Sequence, residues 1–202
     1  LRRQRQMCIR DRPETEVLVT RVLEWAESRG LEEATAVDVG TGTGAIALSL
    51  ALEGPFASVV ATDLDDEALA VARRNRSSAG LDDRVELRVG RLFEALQDGE
   101  RFHVVVSNPP YVAEDDAEEL QDEVREWEPA RALFGGPDGL DVLRALAAGA
   151  SPHVRDGGLL ALEVGADQAD AVAGMLEASD AYGTVEVPVS YTHLTLPTKR
   201  IV

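Results

Sequence analysis

A chain of 202 residues is long enough to bury one core, and 45% hydrophobic with 28% charged residues is the composition of a folded domain rather than of a disordered one. No apolar run approaches the ~20 residues needed to cross a bilayer, the start does not read as a secretory leader, and the single cysteine, Cys8, excludes a disulfide framework or a thiolate metal cluster. A formal charge of −17 argues against a protein that wraps nucleic acid through its phosphates, though not against brief local contact with a basic partner.

The two ends read as additions. Arg2 to Asp11 can be back-translated as CGT CGG CAG CGT CAG ATG TGT ATA AGA GAC, and the reverse complement of that DNA encodes Val189 to Thr198 in frame. The pairing extends outward to Leu1 with Lys199 and inward to Arg12 with Pro188. The DNA also resembles a transposon-end sequencing adapter. Residues 1–12 and 188–202 are therefore expected to be translated adapter, and 13–187 a single domain. The ends hold seven of the 20 basic residues and one of the 37 acidic ones, so 13–187 carries 13 against 36, a formal charge of −23. Its arginine-only, alanine-rich, acidic composition suits a GC-rich genome or a salt-adapted host.

Within that span, apolar residues at Val17, Leu18, Val22, Leu23 and Trp25 predict an amphipathic helix over 16–29. Ala34–Val39 is an apolar run that predicts a buried strand, followed by a glycine loop and a helix over 45–51. A strand at 58–62 precedes a helix at 66–79, for which Gly80 supplies the C-cap. Strands are expected at 85–89 and 102–107, an acidic helix at 115–126, and a helix at 140–153. A strand at 158–164 and a helix at 168–178 follow, and 184–187 reads as the start of a last strand. Alternation of strand and helix predicts an α/β fold, a doubly wound and mostly parallel sheet cut off before its closing strands.

Asp38-Val39-Gly40-Thr41-Gly42-Thr43-Gly44 stands where a strand meets a helix. Glycines there allow a sharp turn and close approach of a ligand to the main chain, and the helix start offers free N–H groups. A dinucleotide fingerprint places its third glycine three positions after the second, and an acid before the first glycine repels a pyrophosphate. The same acid suits the ammonium of a methionine moiety. The loop thus resembles the S-adenosylmethionine loop of Rossmann-like methyltransferases, with Asp63 placed at the end of the next strand to take a ribose diol. The plainer alternative is a tight turn with an N-cap acid.

Ser107-Asn108-Pro109-Pro110-Tyr111 follows the fourth strand, at the end of an open α/β sheet where ligands bind. Two prolines stiffen the turn, hold Asn108 extended and leave carbonyls free to accept. The Asn108 side-chain oxygen and the Pro109 carbonyl can hold both hydrogens of a planar NH2 group, and Tyr111 can stack on it. A rigid loop with a core tyrosine is the bland alternative. The motif resembles that of amino methyltransferases acting on glutamine amide, adenine or guanine.

Four further segments narrow the family: Pro13-Glu14-Thr15-Glu16 preceded by Arg12, Glu128-Pro129-Ala130-Arg131-Ala132-Leu133, Gly135-Gly136-Pro137-Asp138-Gly139-Leu140, and Glu163-Val164-Gly165 with Gln168. With the glycine loop and Asn-Pro-Pro-Tyr they stand in the order of the bacterial release-factor glutamine methyltransferases, a class I S-adenosylmethionine-dependent family that the chain resembles over 13–187. The resemblance implies N5-methylation of the glutamine of a Gly-Gly-Gln motif in peptide chain release factors. It implies a monomer in the cytoplasm, with no membrane and no stable nucleic-acid partner. It assigns Asn108, Pro109 and Tyr111 to catalysis, and Pro110 with those three to substrate binding. Asp38, Val39, Gly40, Thr41, Gly42, Asp63, Leu92 and Asn108 would hold S-adenosylmethionine, with no metal. The chain departs from the family at Arg91 and Leu92, where an acid and an aromatic are usual, and lacks the family's helical N-terminal domain and closing strand pair. His103 and His153 read as structural. Methylation of a ribosomal-protein glutamine, of an exocyclic nitrogen in DNA or RNA, and a cofactor-binding fragment without turnover remain as alternatives.

Overall fold

The structure, a computed structural model, describes residues 13–114, 133–187 and 200–201. The helix expected at 115–126 lies outside these residues, as do Glu128 to Ala132.

Helix α1 (Pro13–Ser28) begins three residues earlier than its apolar spacing suggests, with proline as its first residue, where a missing N–H costs nothing. Strand β1 (Ala34–Val39) leads through the glycine loop into α2 (Ala45–Glu53). Strand β2 (Phe56–Asp63) and helix α3 (Asp66–Ala79) follow. Helix α3 has clean ends: the Asp65 side chain accepts from the Glu67 N–H, and Gly80 at φ 69° closes the last turn on Arg76 and Ser77. Strands β3 (Val85–Val89) and β4 (Phe102–Ser107) occupy the expected residues.

After residue 133, the expected single helix over 140–153 is two elements: α4 (Asp141–Gly149) and a 3-10 turn at Ser151–His153. Pro152, with no N–H to donate, cannot continue the α-helical ladder. Strand β5 (Val154–Val164) starts four residues before the Gly158 expected for it. The sequence hid this because Gly157-Gly158 reads as a breaker. In the sheet it is a bulge: the register jumps from Phe102 opposite Val154 to Val104 opposite Leu159, and Gly157 has φ 75°. Helix α5 (Ala169–Glu177) completes this half.

The sheet order is β3-β2-β1-β4-β5, all parallel, with β6 (Arg200–Ile201) added antiparallel along the outer edge of β5. An edge strand offers unpaired N–H and C=O groups to any extended segment, which accounts for that short pairing. The expected strand over 184–187 is corrected: these residues are irregular. The alternating valines there do point inward, since Val185 and Val187 pack on the second core cluster, but no ladder accompanies them.

Side chains alternate across the strands to make two cores. Ala34, Ala36, Val59, Ala61, Val104 and Val106 face α1 and α2. Val37, Val39, Val60, Val105, Leu162 and Val164 face α4 and α5. Strands β1 and β4 are central, and chain order reverses between them. The crevice outside their carboxyl ends is where such a sheet binds ligands.

Candidate functional site

The glycine loop is built into the end of β2. Gly40 and Thr41 N–H both donate to the Thr62 carbonyl, at 2.8 and 2.9 Å. Gly42 N–H donates to Asp63 Oδ2 at 2.7 Å, and Asn75 of α3 donates to the Thr43 carbonyl at 3.0 Å. Gly40 and Gly42 have φ of 74° and 56°, a region other residues rarely adopt, and a side chain at either would meet open space. The loop therefore presents bare backbone to the crevice. Gly44 serves packing instead: a Cβ there would lie 3.3 Å from Ala72 of α3.

Asp38 is fully buried. Its Oδ2 accepts from Thr41 Oγ1 at 2.6 Å and from the Ala47 N–H at 3.1 Å, which ties the loop to the first turn of α2. Oδ1 is buried with no hydrogen-bond partner among the described residues. Burial pushes the carboxyl up to about 7 from 3.8, against the two hydrogen bonds that lower it, and the neighbouring Asp63 charge adds to the rise. An orphaned, desolvated carboxylate oxygen beside a backbone cradle is a place for a cation or a strong donor.

Asp63 carries two N–H groups already, Gly42 on Oδ2 and Asp65 on Oδ1 at 2.8 Å. A carboxylate has about four lone-pair sites, so it retains acceptor capacity toward the crevice. Two apolar residues flank it. Leu64 is 65% exposed, a side chain that sequence reasoning passed over. The signal was available, as an apolar residue directly after a strand-end acid. Leu92, half-buried in the loop after β3, has φ 51°, a conformation that costs a leucine roughly 1–2 kcal/mol. Its carbonyl accepts from Thr62 Oγ1 at 3.4 Å. Arg91 beside it is exposed.

The Asn-Pro-Pro-Tyr turn lies across the switch point from the loop. Ser107 Oγ donates to the Val39 carbonyl at 2.6 Å, joining the ends of β4 and β1. Asn108 Nδ2 donates to Thr15 Oγ1 of α1 at 3.1 Å, and Thr15 Oγ1 donates to Glu163 Oε2 of β5 at 3.4 Å. Among the described residues no donor reaches Asn108 Oδ1 or the Pro109 carbonyl. Behind the turn, Gln168 is a brace: Oε1 accepts from the Gly165 N–H at 3.1 Å, and Nε2 donates to the Tyr111 carbonyl at 2.8 Å. Gly139, at φ 72°, lies so close that a Cβ would meet the Tyr111 carbonyl at 2.2 Å. The Gly-Gly-Pro-Asp-Gly-Leu segment thus seats the turn.

His103 and His153 are engaged elsewhere. His103 Nδ1 accepts the Thr35 N–H at 3.0 Å, and burial holds its pKa below the usual imidazole range, with the Arg155 charge adding. His153 stacks on Phe93, centroids 5.1 Å apart. Two shallow concavities, one beside Leu23 and Pro55 and one beside Trp25, His103 and Gly158, hold none of the glycine-loop, Asp63 or Asn-Pro-Pro-Tyr residues.

A sequence profile described as "Methyltransferase small domain" matches residues 14–125, more than half of the chain. The chain belongs to the methyltransferase small domain family. Among curated relatives, a release factor glutamine methyltransferase of Cereibacter sphaeroides is 50% identical over 168 residues, covering 83% of this chain and 58% of the relative. One of Clostridium acetobutylicum is 42% identical over 167 residues, covering 82% and 58%. The chain thus spans under two thirds of the length of these methyltransferases. Solved structures share the fold: a methyltransferase from Pyrococcus furiosus has a TM-score of 0.67 at 20% identity, covering 93% of this chain and 80% of that one. A Thermus thermophilus 16S rRNA N2 G1207 methyltransferase, in complex with AdoMet and guanosine, has 0.65 at 21%, covering 97% and 43%. The α/β fold read from the alternation of elements is the class I Rossmann-like methyltransferase fold.

Proposed function

We propose that this methyltransferase domain transfers a methyl group from S-adenosylmethionine to the side-chain amide nitrogen of a glutamine in a peptide chain release factor. The observation that carries this reading is the open pair of acceptors, Asn108 Oδ1 and the Pro109 carbonyl, on a braced turn beside the glycine loop. The relatives named as release factor glutamine methyltransferases supply the substrate. Such a substrate would place the reaction in the cytoplasm.

The residues present fit the cofactor. The orphaned Asp38 Oδ1 matches an ammonium, bare backbone at Gly40 and Gly42 admits the methionine moiety, and Asp63 has acceptor capacity for ribose hydroxyls. Val39 and Thr41 frame that backbone, while Leu64 and Leu92 are the apolar side chains available to a flat ring. When bound, S-adenosylmethionine supplies a methyl group activated on a sulfonium.

The chain supplies position and electrostatics. An amide nitrogen is a weak nucleophile. Asn108 Oδ1 and the Pro109 carbonyl take its two hydrogens and aim it at the methyl carbon. With a methyl donor bound, transfer would put positive charge on that nitrogen and strengthen its hydrogen bonds to Asn108 Oδ1 and the Pro109 carbonyl. Loss of one of its two hydrogens to solvent as a proton would leave the neutral N-methyl amide. Tyr111 and Pro110 wall the planar group.

The test is incubation with methyl-labelled cofactor and separate pools of release factor, ribosomal protein and nucleic acid. Label in a release-factor glutamine is expected. Label confined to ribosomal protein or to nucleic acid overturns the assignment.

A further inference from the structure

The hydrogen-bond chain through Asn108 has a direction, and Glu163 sets it. Glu163 is 1% exposed at the carboxyl end of β5. A carboxylate accepts only, so Thr15 Oγ1, 3.4 Å from Oε2, gives it its single proton. Oγ1 then faces Asn108 with lone pairs alone. Asn108 must meet them with its NH2, not its oxygen. An asparagine amide can sit either way round, and the partner at one end decides which. Here an acid, a hydroxyl and an amide from three separate elements fix one choice, with Oδ1 turned away from Thr15.

That choice decides what the site can hold. A planar NH2 group approaching the turn needs an acceptor. A reversed Asn108 would present a second NH2 to it and forfeit the bond. We propose that Thr15 is a positioning residue for methyl transfer, its hydroxyl polarised by Glu163 so as to lock the Asn108 amide oxygen toward the substrate NH2. This rests on the function proposed above. It also gives α1 a part in the reaction beyond packing: the helix carries the group that orients the turn, 93 residues away in sequence.

Thr15→Val keeps the shape and removes the hydroxyl; Thr15→Ser keeps the hydroxyl. In the 202-residue chain, the side-chain amide pair of Asn108 in a 1H–15N spectrum is expected to be widely split, to collapse in Thr15→Val and to be retained in Thr15→Ser. With release factor and cofactor both saturating, kcat is expected to fall about tenfold in Thr15→Val and to recover in Thr15→Ser, a loss of one orienting hydrogen bond. Cofactor affinity is expected to stay level in both variants, which a loosened α1 would not permit. An Asn108 amide signature indifferent to Thr15→Val, or an unchanged kcat, overturns the proposal. If the unaltered chain labels only nucleic acid, the release-factor reading falls while the spectrum still judges Thr15, because an exocyclic base NH2 needs the same acceptor. If no acceptor is labelled at all, the spectrum alone decides.

Discussion

Asp63 Oδ2 holds the main-chain N–H of Gly42 at 2.7 Å. The acid at the end of one strand is thereby fastened to the glycine loop of its neighbour. Its other oxygen holds the Asp65 N–H, at the N-cap of α3. A residue expected to serve only a ligand is therefore part of the loop's own scaffold.

Removing that carboxylate has two effects. Asp63→Ala leaves two N–H groups without their acceptor and deletes the acceptors offered to ribose hydroxyls. Each charge-assisted bond is worth roughly 1.5–3 kcal/mol, so S-adenosylmethionine affinity should fall by about two decades or more. The melting temperature should fall as well. Titration calorimetry and thermal unfolding check both; a variant that binds normally removes Asp63 from the cofactor site.

Asp38 ties stability to function through pH. Its carboxyl is raised to about 7 from 3.8, chiefly by burial. Below 3.8 it is protonated folded or unfolded and costs nothing. Between 3.8 and about 7 the unfolded chain ionises it while the folded domain keeps the proton, so stability falls by up to roughly 4 kcal/mol across that window and levels above about 7, where the folded domain ionises as well. A cationic group at Oδ1 needs the ionised form. Cofactor affinity should therefore climb with pH up to about 7 and then level, with proton release on binding at about pH 6. Asp38→Asn should melt higher at about pH 8, bind more weakly and lose that pH dependence. Flat affinity from about pH 5.5 to 8 in the unaltered chain would count against a cation at Asp38.

Much of this was legible because local chemistry and global fold agreed. The strand-loop-helix signals at Asp38–Gly44, the Asp65 and Gly80 caps of α3, and the stiff Asn-Pro-Pro-Tyr turn each declare themselves within a few residues. What escaped was set by distant partners. No pattern in the chain joins Thr15 to Asn108 and Glu163. The Gly157 bulge reads as a break because its meaning lies in the register of β4. Leu92 adopts a left-handed backbone that leucine does not advertise. Val185 and Val187 alternate as a strand would, yet only their burial is strand-like.

The Gln168 brace should prove necessary to the turn. Gln168→Ala removes the acceptor of the Gly165 N–H and the Nε2 donor to the Tyr111 carbonyl in a nearly closed setting, a loss of roughly 2–4 kcal/mol, or roughly 10 °C in melting temperature. Gly139→Ala should be at least as damaging, because its Cβ would meet the Tyr111 carbonyl at 2.2 Å on a backbone at φ 72°. In both variants the glycine loop is untouched, so cofactor affinity at low temperature should hold while turnover falls. Thermal unfolding beside calorimetry separates the two; equal losses of both binding and turnover would show that the brace supports the whole crevice.

Asn108→Ala isolates the chemistry itself. The side chain is half-buried, and its one hydrogen bond among the described residues is to Thr15, so truncation should cost little stability. What it removes is an acceptor whose bond to the substrate strengthens as the methyl arrives. Deleting one preorganised group aimed at developing charge typically lowers kcat by about 10²–10³. Pro109 remains to hold one hydrogen, so substrate should still bind, with the nitrogen poorly aimed. The expected pattern is a kcat lower by that factor, a modest rise in KM for the release factor, and cofactor affinity within about threefold of the unaltered chain. Steady-state methylation of a release factor under saturating cofactor measures the first two, and calorimetry the third. Near-normal kcat in Asn108→Ala would mean that the turn only shapes the crevice, and the assignment of amide methylation to this site would fall with it.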